Sequence, residues 1–136
     1  MSQGDDFKDI FKDGFLSDAA LSKAEEIASG LRGLSTTKMR QYFDDLKGLR
    51  RIIESGATAA QIKVKLHLIK SRAHYDIKRI VKKQEKAMSE LKDLLVAGID
   101  IILKSSDVLQ STKDFSTFFE NLYGYFYAQA TKKEEE

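Results

Sequence analysis

Apolar residues recur along this chain every three or four positions and nowhere alternate with a period of two, which predicts helices and no strands. Leu21, Ala24, Ile27, Ala28 and Leu31 share one face of a helix that starts near Ser17 or Ser22, the latter forming a capping box with Glu25. Gly30 and Gly33 end it. A second helix opens at Ser35-Thr36-Thr37, carries Met39, Tyr42, Phe43, Leu46, Leu49 and Ile53 on one stripe, and closes at Ser55-Gly56. A third starts at Thr58, with Gln61 in the capping-box position, and its stripe of Ile62, Leu66, Ile69, Ala73, Ile77 and Ile80 carries it to about Lys83.

From Glu85 to Lys104 the apolar arc widens until only Glu90, Asp93, Ala97, Asp100 and Lys104 remain on a polar strip, the pattern of the most buried helix. The last helix is expected over Thr112 to Gln129. It holds seven of the chain's thirteen aromatics, with Phe115, Phe119, Leu122 and Phe126 as its core stripe. Phe118, Tyr123, Tyr125 and Tyr127 fall outside that stripe, and tyrosines in such positions favour subunit contacts. Residues 1–16 form an arm with Phe7, Phe11 and Phe15 among Asp5, Asp6, Asp9 and Asp13; the pattern permits a short acidic helix without requiring one. Residues 131–136 read as a frayed, solvated tail. The expected fold is all-α, a single domain over residues 1–136 built as a bundle of about five helices.

Composition narrows the chemistry. The 136 residues include no proline, where average usage of about 5% predicts roughly seven. They also include no cysteine, which excludes disulfides, thiolate metal sites and a cysteine nucleophile. His67 and His74, the two histidines, lie two helical turns apart, roughly 10 Å along the axis, too far to clasp one metal. The adjacent carboxylates Asp5-Asp6 and Asp44-Asp45 point about 100° apart on a helix, with no base, nucleophile or phosphate cradle nearby. The chain is therefore expected to be no enzyme, with no cofactor, no metal and no small-molecule substrate. Met1-Ser-Gln-Gly-Asp-Asp has no positive region of a signal peptide, and Leu94–Leu103 is far shorter than the roughly 18 residues a membrane span needs. A cytoplasmic protein without membrane partners is expected.

The formal charge of +2 conceals a strong segregation. Residues 38–86 hold 14 basic and 5 acidic side chains, whereas residues 1–37 hold 4 and 7 and residues 87–136 hold 5 and 9. At about 100° per residue, Arg40, Lys47 and Arg51 form one ridge on the second helix, and Lys65, Arg72, Tyr75, Arg79 and Lys82 share an arc of about 100° on the third. Lys63, Lys70 and Lys78 project elsewhere. Acidic partners at helical spacing are mostly missing, so the unpaired positive charge points to a polyanion, with Tyr75 available to stack on a base or ribose. The expectation is that these cations converge on a shared outer surface of two adjoining helices. Two alternatives stand beside RNA binding: a purely structural assembly protein, and a DNA-binding regulator using Ile53–Ile62 as a helix-turn-helix. The leading side chains of the helix after that turn, Ala59 and Ala60, cannot read base edges.

Three stretches resemble the small subunit of type III-A CRISPR (Csm) effector complexes. Leu34-Ser-Thr-Thr-Lys-Met-Arg40 with Tyr42 and Phe43 is similar to that family's Leu-Thr-Thr-Ser-Gln-Ile-Arg segment. Leu68-Ile-Lys-Ser-Arg-Ala-His-Tyr75 through Arg79 resembles its Leu-Leu-Lys-x-Lys-x-x-Tyr-x-x-x-Arg segment. Phe115, Phe118-Phe119-Glu120 and Tyr125 resemble its aromatic C-terminal helix. Ser71 replaces a common proline, Lys78 a small residue, and Phe126 a frequent histidine; none of these changes removes a basic residue. The resemblance implies a non-catalytic helical subunit of an antiviral complex, present in several copies. It would stack with other Csm subunits and further copies of itself and line the groove where guide RNA and target RNA pair. The matched positions Arg40, Lys70, Arg72 and Arg79 are then the candidates for RNA contact, joined by Lys47 and Arg51 from charge geometry and by Tyr75 as a stacking residue.

Overall fold

A computed structural model describes residues 3–135, with side chains described for residues 7–130. Among the described residues six helices form: α1 (Gln3–Ile10), α2 (Asp18–Gly30), α3 (Thr36–Glu54), α4 (Ala59–Arg79), α5 (Glu85–Leu103) and α6 (Val108–Glu135). A 3₁₀ turn over Lys82–Gln84 links α4 to α5, and there are no strands. The all-α expectation holds with one helix more than anticipated, because part of the 1–16 arm is helical. The expected tail at 131–136 lies outside the residues whose side chains are described.

The helix ends follow local chemistry. Ser17, not Ser22, caps α2, its hydroxyl accepting from the Ala20 N–H at 3.1 Å. Ser35 does the same for α3 toward Lys38, and Thr58 and Gln61 form the expected capping box on α4. Gly56 takes a φ of 103° in the turn between α3 and α4, a conformation that costs glycine nothing. Three boundaries differ from the sequence reading, one of them the end of α6, which reaches Glu135 rather than stopping at Gln129. α4 stops at Arg79, where Ile80 becomes extended, so Lys82 belongs to the following turn. α6 begins four residues early, at Val108, because the Asp107 carboxylate accepts from the Gln110 N–H at 3.1 Å and caps the helix there.

The helices make two layers of three, with α6 between α2 and α3 in one and α5 between α1 and α4 in the other. The central pair, α5 and α6, meets where Gly98 faces the fully buried Phe115 ring; a Cβ at Gly98 would collide with that ring. Phe11 and Phe15 bring the N-terminal arm into the same cluster, their rings 4.9 Å from Phe118 and Phe115 respectively. These aromatic contacts give the arm a fixed place that its acidic composition did not suggest. Ala97, assigned to the polar strip of α5, is buried, and so is Phe118, assigned to the outside of α6. Both assignments came from one helix considered alone, whereas each central helix is covered from several sides.

Two predictions follow from this packing. Gly98→Val forces a branched side chain into the space of the Phe115 ring and is expected to lower stability by about 2 kcal/mol, read by urea denaturation. Glu90 is half-buried against the end of α2, where a side chain on Gly30 would meet its carboxylate. Burial raises its pKa above the ordinary carboxylate range; Lys86 opposes the shift and Asp93 adds to it. The folded state therefore holds the proton more tightly than the unfolded chain, and ionised Glu90 opposes folding at neutral pH. Glu90→Gln is expected to melt above the unsubstituted protein at pH 7, with the difference closing below about pH 4, where both states are protonated.

Candidate nucleic-acid interface

The basic block spans α3, α4 and the turn that follows. The two helices run antiparallel, as the facing pairs Tyr42 with Asp76 and Asp45 with Arg72 require. That arrangement differs from the near-perpendicular crossing of a helix-turn-helix and gives the DNA-regulator alternative no support.

At the centre of the α3/α4 contact is a carboxylate inside an otherwise apolar stripe. Asp76 is only 7% exposed. Its Oδ2 accepts from the Tyr42 hydroxyl at 2.5 Å and lies 3.3 Å from the Lys38 ammonium. Burial, and then the hydrogen bond to Asp76, hold the Tyr42 hydroxyl protonated well above the ordinary phenol range. On the other side of Tyr42 the Arg72 guanidinium sits 4.7 Å from the ring centroid and pairs with Asp45 of α3. Five polar side chains thus tie α3 to α4 where the two helices otherwise touch lightly.

The structure divides the residues predicted from sequence. Arg40, Lys47 and Arg51 remain together as an exposed ridge on α3, with the Lys47 ammonium 5.7 Å from the centroid of Phe43. Tyr75 and Arg79 form a second exposed pair on α4, the guanidinium 5.7 Å from the ring centroid and the tyrosine 57% exposed. Lys70 and Arg72 go elsewhere: Lys70 bonds Asp100 of α5 at 2.6 Å, and Arg72, partly exposed, pairs with Asp45 in the network that joins α3 to α4. Between the two ridges runs a groove of about 470 Å³ whose walls include Asp44, Asp45, Leu49, Ile52, Leu68 and Arg72. The expectation of one converged surface is therefore corrected: the cations form separate ridges with carboxylates between them.

Four of the fourteen basic residues of the block, Lys38, Arg50, Lys70 and Arg72, have a carboxylate within 4.0 Å; among the residues whose side chains are described, the other ten have none. Counting acids at helical spacing missed three of these pairings, because Asp45, Asp76 and Asp100 lie on neighbouring helices. A signal for Asp76 was present in the sequence: it follows Ala73 by three residues and Ile69 by seven, on the apolar stripe itself. A charge at such a position demands a partner.

Sequence reasoning also placed Phe43 only in a core stripe. Its ring is partly buried and stacks on Tyr123 of α6 at 4.3 Å with an interplanar angle of 9°. On the same seam Arg50 bonds the Thr117 hydroxyl at 3.3 Å and lies 3.7 Å from both Glu54 and Glu120. Tyr125 and Tyr127 are exposed, as anticipated for tyrosines outside the α6 core stripe.

Tyr42→Phe removes the hydroxyl that satisfies buried Asp76 and keeps the ring in place. A loss of about 1–3 kcal/mol is expected in chemical denaturation, with helical content unchanged by circular dichroism.

No described helix is long and apolar enough to cross a membrane. Neither the comparison with curated proteins nor that with solved structures gives a match. The family model described as Csm2 Type III-A matches residues 17–132, from the cap of α2 almost to the end of α6, and includes every ridge and pairing above. Over that span the chain belongs to the Csm2 family, the small subunits of type III-A CRISPR Csm complexes.

Proposed function

We propose that this Csm2-family chain binds RNA and lines the groove of the Csm complex in which guide RNA and target RNA pair, without catalysing a reaction itself. The observation that carries this reading is the set of ten basic side chains from Arg40 to Lys86 that have no carboxylate within 4.0 Å among the residues whose side chains are described. Unpaired cations at this density repel one another, and a phosphate backbone is the partner that relieves the repulsion. Arg40, Lys47 and Arg51 on α3 and Arg79 beside Tyr75 on α4 are the exposed members best placed to meet phosphates. Lys70 and Arg72 can join them only by exchanging Asp100 and Asp45 for a phosphate. Guide pairing supplies sequence choice in such a complex, so the protein needs grip on the backbone rather than base readout.

Association with other Csm subunits accompanies family membership. Further copies of this chain are proposed to stack beside one another along the groove, each adding a modest affinity that multivalency compounds. The outer row of α4, where Val64 and Leu68 lie one turn apart and are 60% and 63% exposed, offers an apolar strip for a contact of this kind. The assembly acts in the cytoplasm on this reading.

Fluorescence anisotropy with labelled single-stranded RNA tests the proposal. Affinity is expected to fall linearly with the logarithm of salt concentration. Arg40→Glu with Arg79→Glu is expected to weaken binding at least tenfold and to flatten the salt slope by about 1.4, the contribution of roughly two lost phosphate contacts. Binding that ignores salt, or that survives both reversals, would overturn the reading. A preference for one duplex DNA site would favour a regulator instead.

A further inference from the structure

The seam between α3 and α6 carries a pile of aromatic rings. Phe43 and Tyr123 lie parallel at 4.3 Å, and Tyr123 and Tyr127 follow at 6.0 Å with an interplanar angle of 24°. Lys47 is placed over Phe43, and Tyr127 ends the pile with about half its surface open, at 52%. The contacts of Arg50 with Thr117 and of Phe43 with Tyr123 set an antiparallel register between the helices. One turn before Phe43, Arg40 is therefore level with Tyr127, one turn beyond Tyr123. The exposed cations of α3 thus run alongside the rings. The carboxylates of this seam, Glu54 and Glu120, both face Arg50, and among the residues whose side chains are described Arg40, Lys47 and Arg51 have no carboxylate within 4.0 Å.

We infer that the Phe43–Tyr123–Tyr127 pile is a stacking platform for an unpaired RNA base, which extends it on Tyr127 while Arg40, level with that ring, takes a flanking phosphate and Lys47, at the far end of the pile, meets the backbone farther along the strand. The inference rests on the RNA-binding reading and adds a ligand group and a site to it. Tyr127, offset by 6.0 Å and tilted by 24° from the parallel Phe43–Tyr123 pair, presents the next base with a half-open ring, and base stacking on an aromatic side chain tolerates any sequence. The exposed ring here has cations beside it, Lys47 at one end of the pile and Arg40 level with the other, and that charge favours a polyanion.

The test uses the full chain and a short oligouridine carrying a single 2-aminopurine. The unsubstituted protein is expected to quench the 2-aminopurine on binding. Tyr127→Ala and Tyr127→Leu should bind at least about fivefold more weakly, lose the quenching and keep the salt slope, whereas Tyr127→Phe should retain all three properties. The leucine variant keeps apolar bulk without a stacking face, and thermal melts confirm that each variant folds. If the unsubstituted protein binds RNA but Tyr127→Ala and Tyr127→Leu bind and quench as it does, the platform is overturned while RNA binding stands. If those variants change self-association alone, the seam is a protein contact and the inference fails. Should the unsubstituted protein show no salt-dependent RNA binding, the functional reading falls first and the platform with it.

Discussion

A buried carboxylate, Asp76, governs how α3 and α4 sit together, because an ionised group removed from water must find compensating donors or unfold its surroundings. The Tyr42 hydroxyl and the Lys38 ammonium supply them from α3, and the Arg72 guanidinium over the Tyr42 ring is itself anchored by Asp45. Each layer of the bundle is held mainly by its own central helix, so this polar cluster specifies a contact that apolar burial alone leaves loose. It works as a register device, since sliding α4 by one turn would strand Asp76 among hydrocarbon.

That constraint decides what the surface can offer. Arg72 and Lys38 are committed to holding the hairpin, and Lys70 is committed to α5 through Asp100. Apart from Lys82, Lys83 and Lys86 in the turn after α4 and the start of α5, what remains lies on two helices with different character. On α4 the exposed row mixes aliphatics with Tyr75 and Arg79, whereas the α3 ridge borders stacked rings. A basic block that reads as uniform in one dimension becomes a structural set of cations and a solvent-facing set. The groove between the ridges, walled by Asp44 and Asp45 together with Lys65 and Arg72, carries both signs of charge and separates the two faces.

The same separation bears on membership of the Csm2 family. The matched segment around Arg40 lies on the α3 ridge, but the matched segment from Leu68 to Arg79 contributes both anchored and free cations. Family likeness at Lys70 and Arg72 thus has a structural reason that is independent of any RNA: each residue closes an ion pair between helices.

Much of the fold was legible from local chemistry. Helix periodicity, the caps at Ser35 and Thr58, the glycine turn at Gly56 and most of the core stripes depend on residues within four positions of one another, and the sequence displays such relations directly. Segregation of positive charge into residues 38–86 was equally open to view, and with it the expectation of a polyanionic partner. Only the tertiary structure could decide which of those cations are free, because Asp45, Asp76 and Asp100 lie 27, 38 and 30 residues from Arg72, Lys38 and Lys70 respectively. The pairing of Phe43 with Tyr123 and the burial of the N-terminal phenylalanines under α6 were likewise hidden, since both join segments distant in the chain. Periodicity reports which face of a helix turns inward; it carries no record of which other helix that face meets.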